Sequence, residues 1–376
     1  MKGDNFYNEN SSYQKAVNVG VTPQVIAAAS AVASTLHPSH VVIADLGCSQ
    51  GANSQQPVST LIQELRKDGT SASVVSVYHA DQPHNDFNSL FKVLAGDTSY
   101  LRHHEKVYAY AQGRSFYESL FAPASVHIAF CFNSVHWMSK KPQLSVLTLS
   151  PRNDIIPEAD AKGMGITSIS LFFFLFFLSG FLASAETIHH LSPFVCLFVF
   201  VCLYVCVCHS AISDASREDL RNFMRHRAEE LVPGGQLVLT VLLWKEVTND
   251  HLMTKVSSIL TELVAEGLLP VEDARNMMMP GYPRSEEETV AVFDEFRDVF
   301  QLEESRLERT GHPLYAKFKA GEIPKEVFIS AVLNFLRALM EPGLMFSQNP
   351  ARPGLNGYLC LFAPITKLNK KLLWAC

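Results

Sequence analysis

The chain has 376 residues, 48% of them hydrophobic, and a formal net charge of −6. That length allows a sizeable buried core in one large domain or two ordinary ones. Lys and Arg are scattered, so no basic stripe can neutralise phosphates and no nucleic-acid partner is expected.

In chain order, "MKGDNFYNENSSYQ" is polar and has no signal-peptide pattern. "VVIADLG" (41–47) is an apolar run ending in Asp and Gly, which predicts a buried parallel strand feeding a glycine turn. A helix is predicted from Pro57 to Lys67, and "SVVSVYHAD" (73–81) reads as a second strand. "SVHIAFCFNSVHWMS" (125–139) is a third, running into a loop. Residues 214–232 form a charged amphipathic helix with Asp214 as its N-cap. "PGG" is expected to break it before the strand "QLVLTVLLW" (236–244). Strands alternating with helices predict an α/β doubly wound sheet. Helical patterns at 251–267, 286–300 and 325–340 predict a cap over the carboxyl ends of the strands, and 357–365 an edge strand.

Eight cysteines are present, four of them in one apolar stretch at 196–208. The other four form no CxxC pair, so no zinc site is expected, and without an export signal they read as reduced cytoplasmic thiols.

"ADLGCSQGANS" (44–54) carries the most chemistry. Asp45, Gly47 and Gly51 follow the first strand, and the glycines let the backbone turn sharply and approach a ligand. Asp81 ends the next strand, where a carboxylate can accept hydrogen bonds from both ribose hydroxyls of an adenosine. Its spacing from Gly47 is too long for a dinucleotide binder.

Four segments in order resemble the plant-type SABATH methyltransferases, the salicylate, benzoate and theobromine group. Tyr7, Asn10, Ser11 and Gln14 reproduce a Tyr-x-x-Asn-Ser-x-x-Gln opening. "ADLGCSQGANS" is similar to "ADLGCSSGPNT", and "ADQPHNDFN" (80–88) to "NDLPxNDFN". "SFYESLFAPASVHIAFCFNSVHWMSKKP" (115–142) is similar to a block in which SFY, LF and HWLS recur, and the likeness resumes at 219–235, 263–269 and 280–288.

The resemblance implies a class I methyltransferase with a Rossmann-like sheet over about 36–245 and a helical cap over about 250–345. It implies transfer of a methyl group from S-adenosylmethionine to a small carboxylic acid. Tyr7, Asp45, Gly47, Cys48, Asn53, Asp81, Gln82, Ser115 and Phe116 would lie at the cofactor, with Asp81 on the ribose and Ser115 and Phe116 on the adenine. Gln14 and Trp137 would hold the acceptor carboxylate, and His136 and Asn133 would line the same pocket. A carboxylate is ionised at neutral pH and needs no general base. The enzyme must align oxygen, methyl and sulfur and strip water from the nucleophile.

Four residues depart from the family pattern. Asn133 replaces an aromatic residue, Gln82 an apolar one, and Gln50 and Ala52 stand for Ser and Pro. Magnesium-binding relatives have oxygen ligands where this chain has Ala161, Arg275 and Met278, so no metal is expected. The rival readings are an N-methyltransferase acting on a purine-like ring and a catalytically silent cofactor binder. A homodimer is implied by analogy alone.

Residues 164–213 interrupt the resemblance. Two uncharged runs flank Glu186, each long enough for a bilayer, so 168–208 reads literally as a membrane hairpin. Lys162 and Arg217 would share one side. The vocabulary of Phe, Leu, Val, Cys and Ser suggests a translated T/G-rich tract. We read 164–213 as a retained intron or gene-model error, with membrane association through the hairpin as the alternative to a cytoplasmic enzyme.

Overall fold

The computed structural model describes residues 6–67, 72–140, 193–243, 261–262, 264–267, 280–308 and 313–345. Five strands, β1 (His40–Leu46), β2 (Val74–Asp81), β3 (Val107–Gly113), β4 (Val126–Phe132) and β5 (Leu231–Thr240), form a sheet ordered β3-β2-β1-β4-β5. Every neighbouring pair is parallel. The helices are α1 (Phe6–Asn10), α2 (Ser12–Gly20), α3 (Thr22–Thr35), α4 (Gln55–Leu65), α5 (Phe87–Ala95), α6 (Tyr100–His103), α7 (Pro193–Glu230), α8 (Glu286–Asp294), α9 (Pro313–Lys319) and α10 (Lys325–Met345).

Side-chain alternation along the strands builds two cores. Val41 and Ile43 of β1 and Val75 and Val77 of β2 face Val25, Val32, Val58, Leu61 and Leu90 from α3, α4 and α5. Ala44, Leu46, Ala80, Ala129 and Cys131 face the other way, against Phe116, Leu120, Leu220, Phe223 and Val292. Both faces of the sheet are covered, which is why β1, β2 and β4 read as nearly unbroken apolar runs. The chain crosses from β1 to β2 on one side and returns to β4 on the other, so the crevice between β1 and β4 is the switch point where α/β sheets bind ligands.

Two sequence expectations are corrected. Asp214 does not cap a helix: α7 runs unbroken from Pro193, and Asp214 sits exposed in its interior beside Arg217. The apolar residues before it are themselves helical, so no helix starts there. Pro233-Gly234-Gly235 does not precede the last strand but lies within β5. Val126 pairs with Leu231 and Ile128 with Gln236, so the intervening residues loop out of the ladder. Proline offers no N–H to the sheet, and Gly234 takes a φ of 83° that turns the chain back.

The edge strand β3 and helices α1 to α3, α5, α6 and α9 were not legible from sequence. α8 begins with a capping box, Ser285 Oγ accepting from Glu288 N and Glu288 from Ser285 N. Residues 164–192 of the apolar stretch lie outside the described residues, as do Trp244, the strand at 357–365 and most of the helix at 251–267. Among the described residues no single helix is long and apolar enough to cross a membrane.

Candidate active site

Asp45, His79 and Asp81 reach the carboxyl end of the sheet on one face, because side chains two apart in a strand point the same way. Asp45 and His79 are register partners across β1 and β2. His79 Nδ1 lies 2.8 Å from Asp45 Oδ2, and Nε2 lies 2.9 Å from the Tyr100 hydroxyl of α6. All three are buried. Asp45, Cys48 and His79 bring ligand atoms within 4.8 Å of one another, but both imidazole nitrogens already serve Asp45 and Tyr100. The Cys48 thiol is buried and raised well above its usual range, first by burial and then by Asp81 and Asp45, so it is no nucleophile.

Asp81 is half-buried at the end of β2. Oδ2 accepts Ser49 N–H at 2.7 Å and Oδ1 accepts Gln82 N–H at 2.8 Å. Each carboxylate oxygen retains a second lone pair, which suits a pair of vicinal hydroxyls. Burial pushes this carboxyl up to about 6, against the pull of the two amides. Tyr7 is near enough for the Asp81 charge to add to the upward push of burial on its phenol.

The turn after β1 folds over the end of β2: Gly47 and Cys48 amides both donate to Ala80 O, at 2.8 and 3.2 Å. Gly47 has a φ of 83°, and a β-carbon there would sit 2.5 Å from Ser134 Oγ in the turn after β4. Gly47→Ala is therefore expected to destabilise the fold by about 2 kcal/mol and weaken cofactor binding. Thermal unfolding and titration with S-adenosylhomocysteine check both.

The N-terminal helices lie on this loop. Asn8 N–H and Nδ2 reach Gln50 Oε1 and O at 3.4 and 3.3 Å, and Asn8 Oδ1 accepts Ala52 N–H at 3.2 Å. Asn53 Nδ2 donates to Ser11 Oγ, and Asn18 Nδ2 to Asn53 O. Gln50, the departure from Ser, donates to Asp86, which caps α5 by accepting Ser89 N–H. Asn85 Nδ2 holds Ser49 O at 2.7 Å, fixing Ser49 in a left-handed conformation of φ 51°.

Ser115 and Phe116 open the connection from β3 to β4. Phe116 packs edge-on to Tyr117 and Phe223 and reaches within 3.6 Å of the Gly47 β-carbon position. A buried ion pair at the end of α7, Arg227 with Glu230 at 2.7 Å, holds this segment. Glu230 accepts the Leu120 and Phe121 amides, and Arg227 donates to the Phe116 and Glu118 carbonyls.

Asn133, His136 and Trp137 share the turn after β4. Asn133 adopts φ 52°, with its N–H 2.8 Å from Thr240 Oγ1, and its Nδ2 is buried without a protein partner. His136 is buried with Nδ1 unpartnered, and burial with Arg284 nearby drives its pKa down to about 3, so the ring is neutral. Trp137 bridges to Gly281, His136 O accepts Tyr282 N–H, and Met138 N–H reaches Pro280 O, so the 280–285 segment clamps this turn. Arg284, 1% exposed, donates to Val135 O and twice to Ser216 O. Asp219 accepts both Ser139 N–H and Oγ, at 2.8 and 2.6 Å. Gln14 lies on α2 with a buried, unpartnered Oε1; it makes no hydrogen bond to Asn133, His136 or Trp137.

A family model described as SAM-dependent carboxyl methyltransferase matches residues 2–153 and 206–348. The chain belongs to that family. Anthranilate O-methyltransferase 3 of Zea mays is 27% identical over 92% of this chain and 85% of its own length. A benzoic acid/salicylic acid carboxyl methyltransferase of Petunia hybrida is 28% identical over 75% and 70%. A solved loganic acid methyltransferase with SAH shares the fold at a TM-score of 0.67 and 20% identity, over 98% of this chain and 92% of that one. The family match resumes at residue 206, so residues 206–213, assigned above to the apolar insertion, align with the family. Ile212 agrees, buried against Met138 and Tyr282.

Sequence reading of this methyltransferase missed His79, Tyr100, Asn85, Arg284 and the Arg227–Glu230 pair. His79 had a signal: it lies two residues before Asp81 on one strand and so shares its face. Arg227 and Glu230 stand at i,i+3 on one helix, a spacing that fits an ion pair, but their bonds to the 116–121 segment, about 110 residues away, had no signal.

Proposed function

We propose that the described residues bind S-adenosylmethionine over the β1 and β2 termini and methylate a carboxylate oxygen of a small acid beside the turn after β4. The observation that carries this is Asp81, whose two oxygens are each held by one backbone amide and each keep a lone pair for a ribose hydroxyl. S-Adenosylmethionine, when bound, supplies an electrophilic methyl group. Gly47 lets the loop approach it closely, and Phe116 offers an apolar face to the adenine. Gln14 and Trp137 give the acceptor carboxylate neutral N–H donors, which orient it without cancelling its charge. Neutral His136 and the clamped turn exclude water, and no group needs to remove a proton.

The test is transfer of labelled methyl from S-adenosylmethionine to a pool of small carboxylic acids by the full-length chain. Gln14→Ala and Trp137→Ala are each expected to lower kcat/KM about tenfold, the worth of one hydrogen bond to a charged group. Transfer to purine-like rings and to no acid would overturn the carboxyl reading; cofactor binding with no transfer to either would establish a silent binder.

A cytoplasmic location and a small-molecule acid as partner belong to the same proposal. We infer further that residues 154–205, which the family match skips, are foreign to methyl transfer and arise from intron sequence. The expected mature transcript lacks their codons; a transcript that carries them, with protein sedimenting in membranes, would favour an anchor.

A further inference from the structure

Asp45 and Tyr100 are joined by His79 into a chain of three buried side chains beneath the cofactor loop. One arrangement satisfies both imidazole nitrogens. In that arrangement Nδ1 donates to the Asp45 carboxylate and Nε2 accepts the Tyr100 O–H. The chain lies on the sheet face packed by α4 and α6.

Its location decides what it does. Asp45 is two residues before Gly47, and His79 two before Asp81. The bond between them ties the end of β1 to the end of β2 just where the chain leaves the sheet. Beyond that tie, the Gly47 and Cys48 amides close on Ala80 O and the Ser49 amide closes on Asp81. Tyr100 anchors the far side, because its own N–H is held by Gln55 at the start of α4, the helix that follows the loop. Loop, ribose carboxylate and following helix are thus set by one imidazole.

We propose that His79 is a positioning residue for S-adenosylmethionine, holding the Gly47–Ser49 loop against Asp81 through its bonds to Asp45 and Tyr100. The inference rests on the reading of Asp81 as the ribose-binding group. It assigns a role in cofactor affinity, separate from acceptor recognition, to a residue that touches neither molecule.

The experiment measures affinity of the full-length chain for S-adenosylhomocysteine by calorimetry, and acceptor KM at saturating S-adenosylmethionine. His79→Leu keeps the volume but leaves the Asp45 carboxylate and the Tyr100 hydroxyl unpaired. It is expected to weaken cofactor affinity tenfold or more while acceptor KM stays within twofold. His79→Gln can donate to Asp45 and accept from Tyr100, and should return affinity to within threefold of the parent. Tyr100→Phe removes only the outer bond, with an expected loss of about threefold; it decides the question should His79→Leu not fold. Unchanged affinity in His79→Leu or Tyr100→Phe overturns the proposal, and so does a parallel loss of cofactor affinity and acceptor KM that Gln does not rescue. A parent chain that binds no S-adenosylhomocysteine overturns instead the reading of Asp81 on which the proposal stands.

Discussion

Asp81→Ala is expected to weaken S-adenosylmethionine binding by roughly 10²–10⁴-fold, because two hydrogen bonds to a charged acceptor are lost at about 1.5–3 kcal/mol each. Asp81→Asn should fall between, since an amide offers one acceptor oxygen and turns an N–H towards one of the two backbone donors. The wild-type protein should show the same dependence through pH. Burial raises this carboxyl to about 6, and the ribose hydroxyls require its ionised form. Affinity is therefore flat above pH 7 and about tenfold weaker at pH 5. The sign for stability is opposite. A carboxyl that binds its proton more tightly folded than unfolded opposes folding at neutral pH, and that opposition fades as pH falls through 6 towards its ordinary value. The ligand-free protein thus gives up stability to keep an ionised group where the cofactor needs it. Calorimetric titration from pH 5 to 8 checks the first statement; an affinity independent of pH would remove Asp81 from the ribose.

Glu230→Ala is expected to destabilise the protein by about 3–5 kcal/mol. It strands the Arg227 cation in a site 1% exposed and leaves the Leu120 and Phe121 amides without their acceptor. The melting temperature should fall by roughly 10 °C. Removing both charges in Arg227→Met/Glu230→Gln should cost less than Glu230→Ala alone, because the isolated buried charge is the larger penalty. Chemical and thermal unfolding of the three proteins decide this; a double variant no better than the single would mean that the carbonyl and amide contacts matter more than the charge. The same segment carries Phe116, so residual folded Glu230→Ala should also bind cofactor poorly.

What the sequence made legible follows from burial. β1, β2 and β4 are covered on both faces, and their apolar runs stand out. β3 is an edge strand whose Tyr108 and Tyr110 point outward, 53% and 43% exposed, with alanines inward, so its hydrophobic signal is inverted. Helix α3 is dominated by Ala, Ser and Val; its buried face of Val25, Ala28, Ala29 and Val32 differs little from its exposed one. Pro-Gly-Gly looked like an ending because its turn chemistry is real, yet the ladder resumes beyond it. In the site, motif resemblance located the residues of contiguous blocks, such as Gly47, Asp81 and Phe116. It was silent on groups defined by pairing across the fold, Arg284 with Val135 and Ser216 among them, since nothing in one segment announces a partner in another.

The bonds of Asp219 to Ser139, together with the Arg284 bridge from Val135 to Ser216, have a further consequence. They fasten the chain before the unmatched segment to the chain after it, 80 residues apart. Ser139 and Asp219 are thus held side by side, as two turns of a rope on one fixed cleat. Closure entropy grows only with the logarithm of length, so removing 154–205 changes it by only ~1 kcal/mol. A fold pinned in this way is expected to tolerate strangers at that point: a long insert, a nick, or two separately made halves meeting at the same fastening.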